Sequence, residues 1–296
     1  MNRNSRQMVC TLLAVTAPLA HCAGVGYVAV LLAAGAMLPL TVVSRDGLKR
    51  ISKPEALVEL VWLGLVLGML MKNSGANWPG SRSELVVPLT ILLLAAISGE
   101  SERSARCCAT VFWIGVIPGI LVTAALVGRM ELTWLTPERK NWTGSLIAVL
   151  LYPSINGTEK GNRLKTAALT AITAVGLALI IQGGLGIGPA RGFQSPLYEL
   201  GRCVGNGGFE IVISVVLTLS WYGFAAMGMR TAESFGRKLA LSTGKSRISI
   251  LAVAAMVIIS GENLKEWIVI SGCLILWILI PLLHQKNKSK KDEKRC

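Results

Sequence analysis

Long apolar runs separated by short polar stretches dominate this chain of 296 residues. A transmembrane helix needs about 20 apolar residues in succession, and about 17 at the short end. With their flanking residues, ten runs approach that length, so the pattern predicts an all-α integral membrane protein with about ten transmembrane helices. The predicted segments are 8–23, 25–43, 55–71, 84–98, 107–127, 143–155, 166–188, 209–229, 248–261 and 266–283.

These segments leave little of the chain for anything else. We therefore expect a single polytopic transmembrane domain over residues 1–296, ending in a basic tail at 285–296. Helices are expected because a membrane barrel is built from strands of about ten residues with alternating hydrophobicity, and unbroken apolar runs do not alternate. The composition agrees, since 16% of the residues are charged, against roughly 25% in soluble globular proteins.

Lysine and arginine are concentrated on one side of the predicted topology. Because these residues collect in cytoplasmic loops, their distribution predicts cytoplasmic N- and C-termini and an even number of spans. The 22 basic residues on that side, out of 30 in the chain, are Arg3, Arg6, Arg45, Lys49, Arg50, Lys53, Arg103, Arg106, Lys160, Arg163, Lys165, Arg230, Arg237, Lys238, Lys245, Arg247, Lys286, Lys288, Lys290, Lys291, Lys294 and Arg295. The same rule accounts for the net charge of +14, so no binding of nucleic acid is expected. The tail either marks topology or attracts anionic membrane lipid.

Ten spans divide into two sets of five, and a duplicated unit of five spans must enter the membrane in opposite directions. The pattern thus predicts a five-plus-five inverted repeat, with repeat one over about 7–128 and repeat two over about 142–284. Inverted repeats of this kind are a transporter architecture, whose binding site lies where short, proline- or glycine-interrupted spans meet.

The first and sixth segments are interrupted in that way. The first carries Thr16 and Pro18 in its middle, and the sixth ends at the stretch Tyr152, Pro153, Ser154, Ile155 and Asn156. If each helix opens at its proline, freed amides and carbonyls can hold a zwitterion beside Thr16, Ser154 and Asn156, with Tyr152 as one wall. The alternative is that Pro18 is a tolerated kink and that Pro153 only ends a helix.

Ionisable residues are few within the predicted spans. Glu59 lies one turn into the third and Glu210 opens the eighth; each is either a site residue or a carboxylate that reaches water at the membrane boundary. No span carries a series of Asp, Glu and His, so the sequence offers no proton path of the pump type. Catalytic motifs are also missing, and seven cysteines without CxxC spacing indicate neither a metal nor a disulfide framework. We expect no enzyme activity and no cofactor.

Two stretches carry a family resemblance. One is LLLAAISGESERSAR followed by MELTWLTP, with Glu102, Arg106 and Leu135-Thr136-Pro137; the other is SPLYELGRCVGNGGFE followed by VISVVLTLSWYGF, with Pro196, Glu199, Leu200, Arg202, Gly208, Phe209 and Trp221. They resemble the endospore germination permease family, the B subunit of nutrient germinant receptors. The resemblance implies the five-plus-five fold of the amino acid–polyamine–organocation superfamily (LeuT-like), a nutrient ligand such as an amino acid, and A and C receptor subunits as partners. It also implies residence in the spore inner membrane or the cell membrane.

The leading hypothesis is therefore a ligand-binding, transporter-like subunit of a spore germinant receptor, which triggers germination with its partner subunits. The predicted ligand-binding residues are Thr16, Pro18, Glu59, Tyr152, Pro153, Ser154, Asn156 and Trp221. One alternative is a secondary amino-acid transporter. Another is a membrane scaffold that binds no ligand, because the first span of this chain is shorter than the family pattern.

Overall fold

In this computed structural model the residues described are 3–22, 30–36, 51–78, 82–98, 144–155, 163–186, 195–204, 209–261 and 264–283. All the secondary structure in these ranges is helical. The helices, besides a short helical segment at 30–36, are α1 (Arg3–Cys22), α2 (Lys53–Met71), α3 (Ser83–Ile97), α4 (Gly144–Ile155), α5 (Arg163–Leu185), α6 (Pro196–Val204), α7 (Phe209–Lys238), α8 (Thr243–Ser260) and α9 (Glu266–Leu274). A 3₁₀ helix, Lys72–Asn77, continues α2, and a π-helical turn, Ile275–Leu279, continues α9.

Within the described ranges, five helical stretches are long and apolar enough to cross a membrane. They are Lys53–Ala76, Lys165–Leu185, Glu210–Lys238, Thr243–Ser260 and Glu266–Leu283, and Val9–Cys22 and Ser83–Ile97 are shorter apolar helices. All seven coincide with predicted segments, and α4 coincides with an eighth. The all-helical, membrane-type prediction is thereby confirmed. The predicted segment 107–127 and most of 25–43 lie outside the described residues.

The predicted segments 209–229 and 248–261 imply a loop between them, and this prediction is wrong. The stretch 230–247 is not a long cytoplasmic loop, because α7 continues to Lys238 and α8 already begins at Thr243. Two features stabilise the helical form: Arg237 and Lys238 lie at the C-terminal end of α7, where positive charge is favourable, and the Ser242 hydroxyl caps α8 by accepting from the Lys245 amide at 3.4 Å.

Helix α7 is the central element, since it contacts α1, α2, α3, α6 and α8. Helix α2 packs against both α7 and α8, which also contact each other. Its contact with α8 is close because Gly64 and Gly68 face that helix: an added Cβ at Gly68 would lie 2.7 Å from the Ala254 carbonyl oxygen. Two small residues four positions apart allow such a close approach between membrane helices.

The contacts fix the relative directions of these helices. Gly64 faces Val253 and, one turn further on, Gly68 faces Val257, so α2 and α8 run in the same direction. At their shared end the Lys72 ammonium donates to the Gly261 carbonyl. Because short connections reverse the chain after α2 and before α8, α3 and α7 both run the opposite way.

A partly buried ion pair ties three of these helices together at their other end. Arg247 on α8 lies 2.5 Å from the Glu233 carboxylate on α7 and donates to the Ala96 carbonyl on α3 at 3.2 Å. The three groups belong to the end of the bundle that the charge distribution predicts to be cytoplasmic.

Candidate functional site

Helix α1 meets α7 at a hydroxyl group inserted beside a proline. The Ala17 amide donates to Ser220 Oγ at 2.8 Å, and the same hydroxyl donates to the Leu13 carbonyl at 2.5 Å. Leu13 and Ala17 are four residues apart, so their carbonyl and amide are a pair that bonds directly in a regular α-helix. Ser220 therefore bridges the hydrogen-bond ladder of another helix, and it does so fully buried.

Pro18 interrupts the backbone hydrogen bonds of α1 at this position. Proline has no amide hydrogen, so the Ala14 carbonyl loses its usual donor four residues later. Ser220 Oγ lies 3.4 Å from that carbonyl oxygen. Helix α1 consequently continues through Pro18 to Cys22 without a break in its helical path.

Thr16, the next predicted site residue, is turned towards its own helix. Its hydroxyl donates to the Leu12 carbonyl at 2.8 Å, a bond that polar residues in membrane helices commonly make to their own backbone. The hydroxyl that reaches across the α1–α7 contact is therefore Ser220, which the sequence did not single out.

An aromatic cluster lies beside this contact, between α4, α7 and α9. Tyr152 is completely buried, stacks on Phe224 with ring centroids 4.1 Å apart, and donates its hydroxyl to the Phe224 carbonyl at 3.2 Å. Trp277 meets Tyr152 edge-on at 6.4 Å, and Trp221 meets Phe224 edge-on at 6.1 Å. The four rings form a continuous apolar wall inside the bundle.

Gly228 makes room for the phenol of Tyr152. An added Cβ at this position would lie 2.5 Å from the Tyr152 hydroxyl oxygen and 3.1 Å from Leu67 Cδ2. The side chain of Tyr152 therefore fits between α7 and α2 because Gly228 has no side chain.

Glu59 lies on the far side of Trp277 and is 1% exposed. Within the described part of the chain, its carboxylate oxygens make no close hydrogen bond, although the Trp277 indole lies near enough to interact with them, as the Trp62 indole does with Cys273. Glu59 is therefore buried inside the bundle and does not reach water at a boundary.

The predicted site residues divide into three groups in the structure. Tyr152, Trp221 and Glu59 lie around one interior, joined through Phe224 and Trp277, and Pro18 lies at the neighbouring α1–α7 contact with Thr16 beside it. Pro153 and Ser154 belong to the last turn of α4, which continues through them to Ile155. Asn156 lies outside the described residues.

Four residues of this interior escaped the sequence analysis: Ser220, Phe224, Gly228 and Trp277. For Ser220 and Gly228 the available signal was a polar or small residue within an apolar span, which marks helix contacts in membranes. It does not say which of several such residues faces which helix. Among the described residues, no three His, Cys, Asp or Glu side chains lie close enough together to hold a metal ion.

No protein-family model matches this chain, and a search of curated proteins also finds no match.

Proposed function

We propose that this protein is a transporter-like membrane subunit that binds a small polar nutrient, such as an amino acid, inside the bundle. The binding region is the interior between α1, α4, α7 and α9. The proposal rests above all on Ser220: a membrane helix carries a proline in its middle, and a hydroxyl from another helix serves the backbone groups exposed there.

Backbone groups of this kind suit the charged ends of a zwitterion. In transporters with interrupted helices, substrate carboxylate and ammonium groups bind to amides and carbonyls freed from the helix ladder. Here one side-chain hydroxyl accepts from the Ala17 amide and donates to the Leu13 carbonyl, and it lies 3.4 Å from the Ala14 carbonyl oxygen. A ligand that displaced Ser220 from this position would find one donor and two acceptors, next to an aromatic wall for its apolar part.

The helix directions support the ten-span, inverted-repeat architecture that we include in the proposal. Helices α3 and α7 run the same way, as the predicted three spans between them require. Helices α2 and α8 also run the same way, with five predicted spans between them. In a five-plus-five repeat, α2 and α3 correspond to α7 and α8, and each corresponding pair then runs in opposite directions.

Binding can be tested with the full chain in lipid nanodiscs. We expect one or a few members of a panel of single amino acids and sugars to raise the melting temperature, because a ligand that binds only the folded state stabilises it. Ser220→Ala should strengthen this response, because it removes the hydroxyl that competes with the ligand for the backbone groups of α1. Ser260→Ala is the matched control, since the Ser260 hydroxyl is exposed and donates only to Val257 of its own helix. A panel without any response would contradict the proposal.

The germinant-receptor role follows from the family resemblance, and we include it with its A and C subunits, its membrane location and cytoplasmic termini. Spores with and without this gene, exposed to the same nutrient panel, provide the test through loss of refractility. We expect one nutrient response to disappear. Normal germination on every nutrient would exclude the receptor role while leaving ligand binding intact.

A secondary transporter is the second candidate, favoured by the buried carboxyl of Glu59, since such groups line substrate and ion pathways in membrane proteins. It predicts saturable uptake of the stabilising ligand by proteoliposomes that contain this chain alone. Binding without uptake favours the receptor. Normal assembly and signalling of both Tyr152→Ala and Ser154→Ala would instead favour a scaffold.

A further inference from the structure

The polar cluster around Glu59 is separate from the α1–α7 contact and calls for its own explanation. It consists of the Glu59 carboxyl on α2, the indole of Trp62 one turn later, and the indole of Trp277 following α9. Four polar atoms of these three side chains are buried and, among the described residues, make no close hydrogen bond, although the Trp277 indole interacts with the Glu59 carboxyl and the Trp62 indole with Cys273. Native proteins contain few such groups, and each needs a reason.

An ionised carboxylate without a partner costs several kcal/mol when it is removed from water. Glu59 must therefore hold either a counterion or a proton. The ionisable groups acting on it are Glu55 on its own helix, Lys238 at the end of α7, and Cys273 on α9. Lys238 acts on Glu55 as well as on Glu59, so its charge is shared by two carboxyl groups.

Space decides between a proton and a larger cation. Trp277 is 0% exposed and Trp62 is 9% exposed. The α9 backbone lies directly against the Trp62 ring, because a Cβ added at Gly272 would overlap that ring. An organic ammonium ion would have to displace both indoles, whereas a proton needs no additional volume.

We propose that Glu59 is a proton-binding site within the bundle that exchanges with water at the end where Glu55 and Lys238 lie. A proton from water adds to one carboxylate oxygen of Glu59 and gives a neutral carboxyl group; the reverse step returns the proton to water. Glu55 is one helical turn closer to the start of α2, and Lys238 ends α7, so both belong to the route.

The position of Trp277 gives this site a functional consequence. One face of the cluster is Trp277, whose ring also meets Tyr152 edge-on at 6.4 Å. A change at Glu59 that moved Trp277 would therefore reach the aromatic wall of the interior. The proton site itself does not depend on which ligand that interior binds.

Infrared spectroscopy of the full chain in lipid measures the protonation state directly. At near-neutral pH we expect a carbonyl band of a protonated carboxylic acid that is lost in Glu59→Gln and kept in Glu84→Gln. Glu84 is the control because it is exposed at the start of α3. The proposal is overturned if the wild-type spectrum has no such band, or if the band is still present in the spectrum of Glu59→Gln.

A second measurement on the unmodified protein guards against misfolding of the variant. The infrared band of the unmodified chain is followed as the pH is raised and after exchange into heavy water, which shifts the carbonyl band of a protonated carboxyl group that exchanges with water. We expect the band to decrease with rising pH and to shift after exchange. A band that responds to neither change, or no band at acidic pH, overturns the proposal. Neither measurement uses a nutrient ligand, so failure here is distinguishable from failure of ligand binding.

Discussion

Ser220 on α7 stabilises α1 at the position where Pro18 weakens it. The hydroxyl accepts from Ala17, donates to Leu13 and lies 3.4 Å from the Ala14 carbonyl that Pro18 leaves without its donor. The two residues are far apart in the chain, and neither is informative alone: a proline in a membrane helix and a serine in another are both common. Their contact is what makes the pair a structural unit.

We expect Ser220→Ala to lower the free energy of unfolding by about 1 kcal/mol, in the range of hydrogen bonds between membrane helices. The loss should be smaller in a chain that also carries Pro18→Ala, because the new amide restores a donor to Ala14. A double-mutant cycle, measured by denaturation in mixed micelles, gives the coupling, which should be about 0.5 kcal/mol or more. Strict additivity of the two substitutions would contradict the bridging role.

The close contact between α2 and α8 predicts an opposite response at two glycines. Gly68→Ala would place a Cβ 2.7 Å from the Ala254 carbonyl oxygen, and the cost of such overpacking is about 1–3 kcal/mol. Gly176→Ala on α5 has no atom within 4 Å of the new Cβ, so it should be neutral or stabilise by up to about 1 kcal/mol. Unfolding in mixed micelles compares the two, and equal stabilities would refute the close packing.

Gly228 and Tyr152 should behave as a compensating pair. Gly228→Ala brings a methyl group to 2.5 Å from the Tyr152 hydroxyl oxygen and should destabilise the protein. Tyr152→Phe removes that oxygen and keeps the stacked ring, so it should recover part of the loss; recovery is partial because Leu67 remains 3.1 Å away. Melting temperatures of the two single variants and the double variant provide the check. No recovery in the double variant would mean that the phenol does not occupy this space.

The ion pair that joins α3, α7 and α8 predicts unequal effects of two arginine substitutions. Arg247→Ala removes a charged partner of Glu233 in a site where both side chains are about four-fifths buried, and we expect a loss of about 1.5–3 kcal/mol. Arg202→Ala should cost less than about 1 kcal/mol, because the Arg202 side chain is 61% exposed in its 3.4 Å pair with Glu199. Arg247→Lys should recover only part, since a single ammonium cannot reproduce the guanidinium fork. The free energies of unfolding of the three variants are compared under the same conditions. If Arg247→Ala is as stable as Arg202→Ala, the Arg247–Glu233 pair contributes little.

The sequence predicted the helices better than their contacts. Apolar runs located α2, α3, α4 and α5 to within three residues at each end, because hydrophobic length is a property of the sequence itself. The hydropathy pattern underestimated the length of α7, because the charged residues after Met229 are typical of a loop. In the structure this stretch is helical, and its Glu233 pairs with Arg247 of α8.

For the candidate site, the proline pattern named Pro18 and Tyr152, and the family resemblance named Trp221; the structure places Tyr152 and Trp221 in one interior and Pro18 at the helix contact beside it. The orientation of each helix was not predictable. Every face of an apolar span contains suitable residues, and only tertiary packing shows that Thr16 bonds to its own helix and Ser220 to another. The ligand-binding role of these residues remains a prediction.

The bridge between Ser220 and α1 also has a consequence for biosynthesis. Ala17 and Ser220 are 203 residues apart, so at a synthesis rate of 5–20 residues per second α1 leaves the ribosome about 10–40 s before its partner exists. During that interval the Ala14 carbonyl lacks both the amide that Pro18 does not have and the hydroxyl that α7 has yet to bring. Helix α1 is thus made before its hydrogen-bond partner exists, and its bonds to Ser220 form only when α7 arrives.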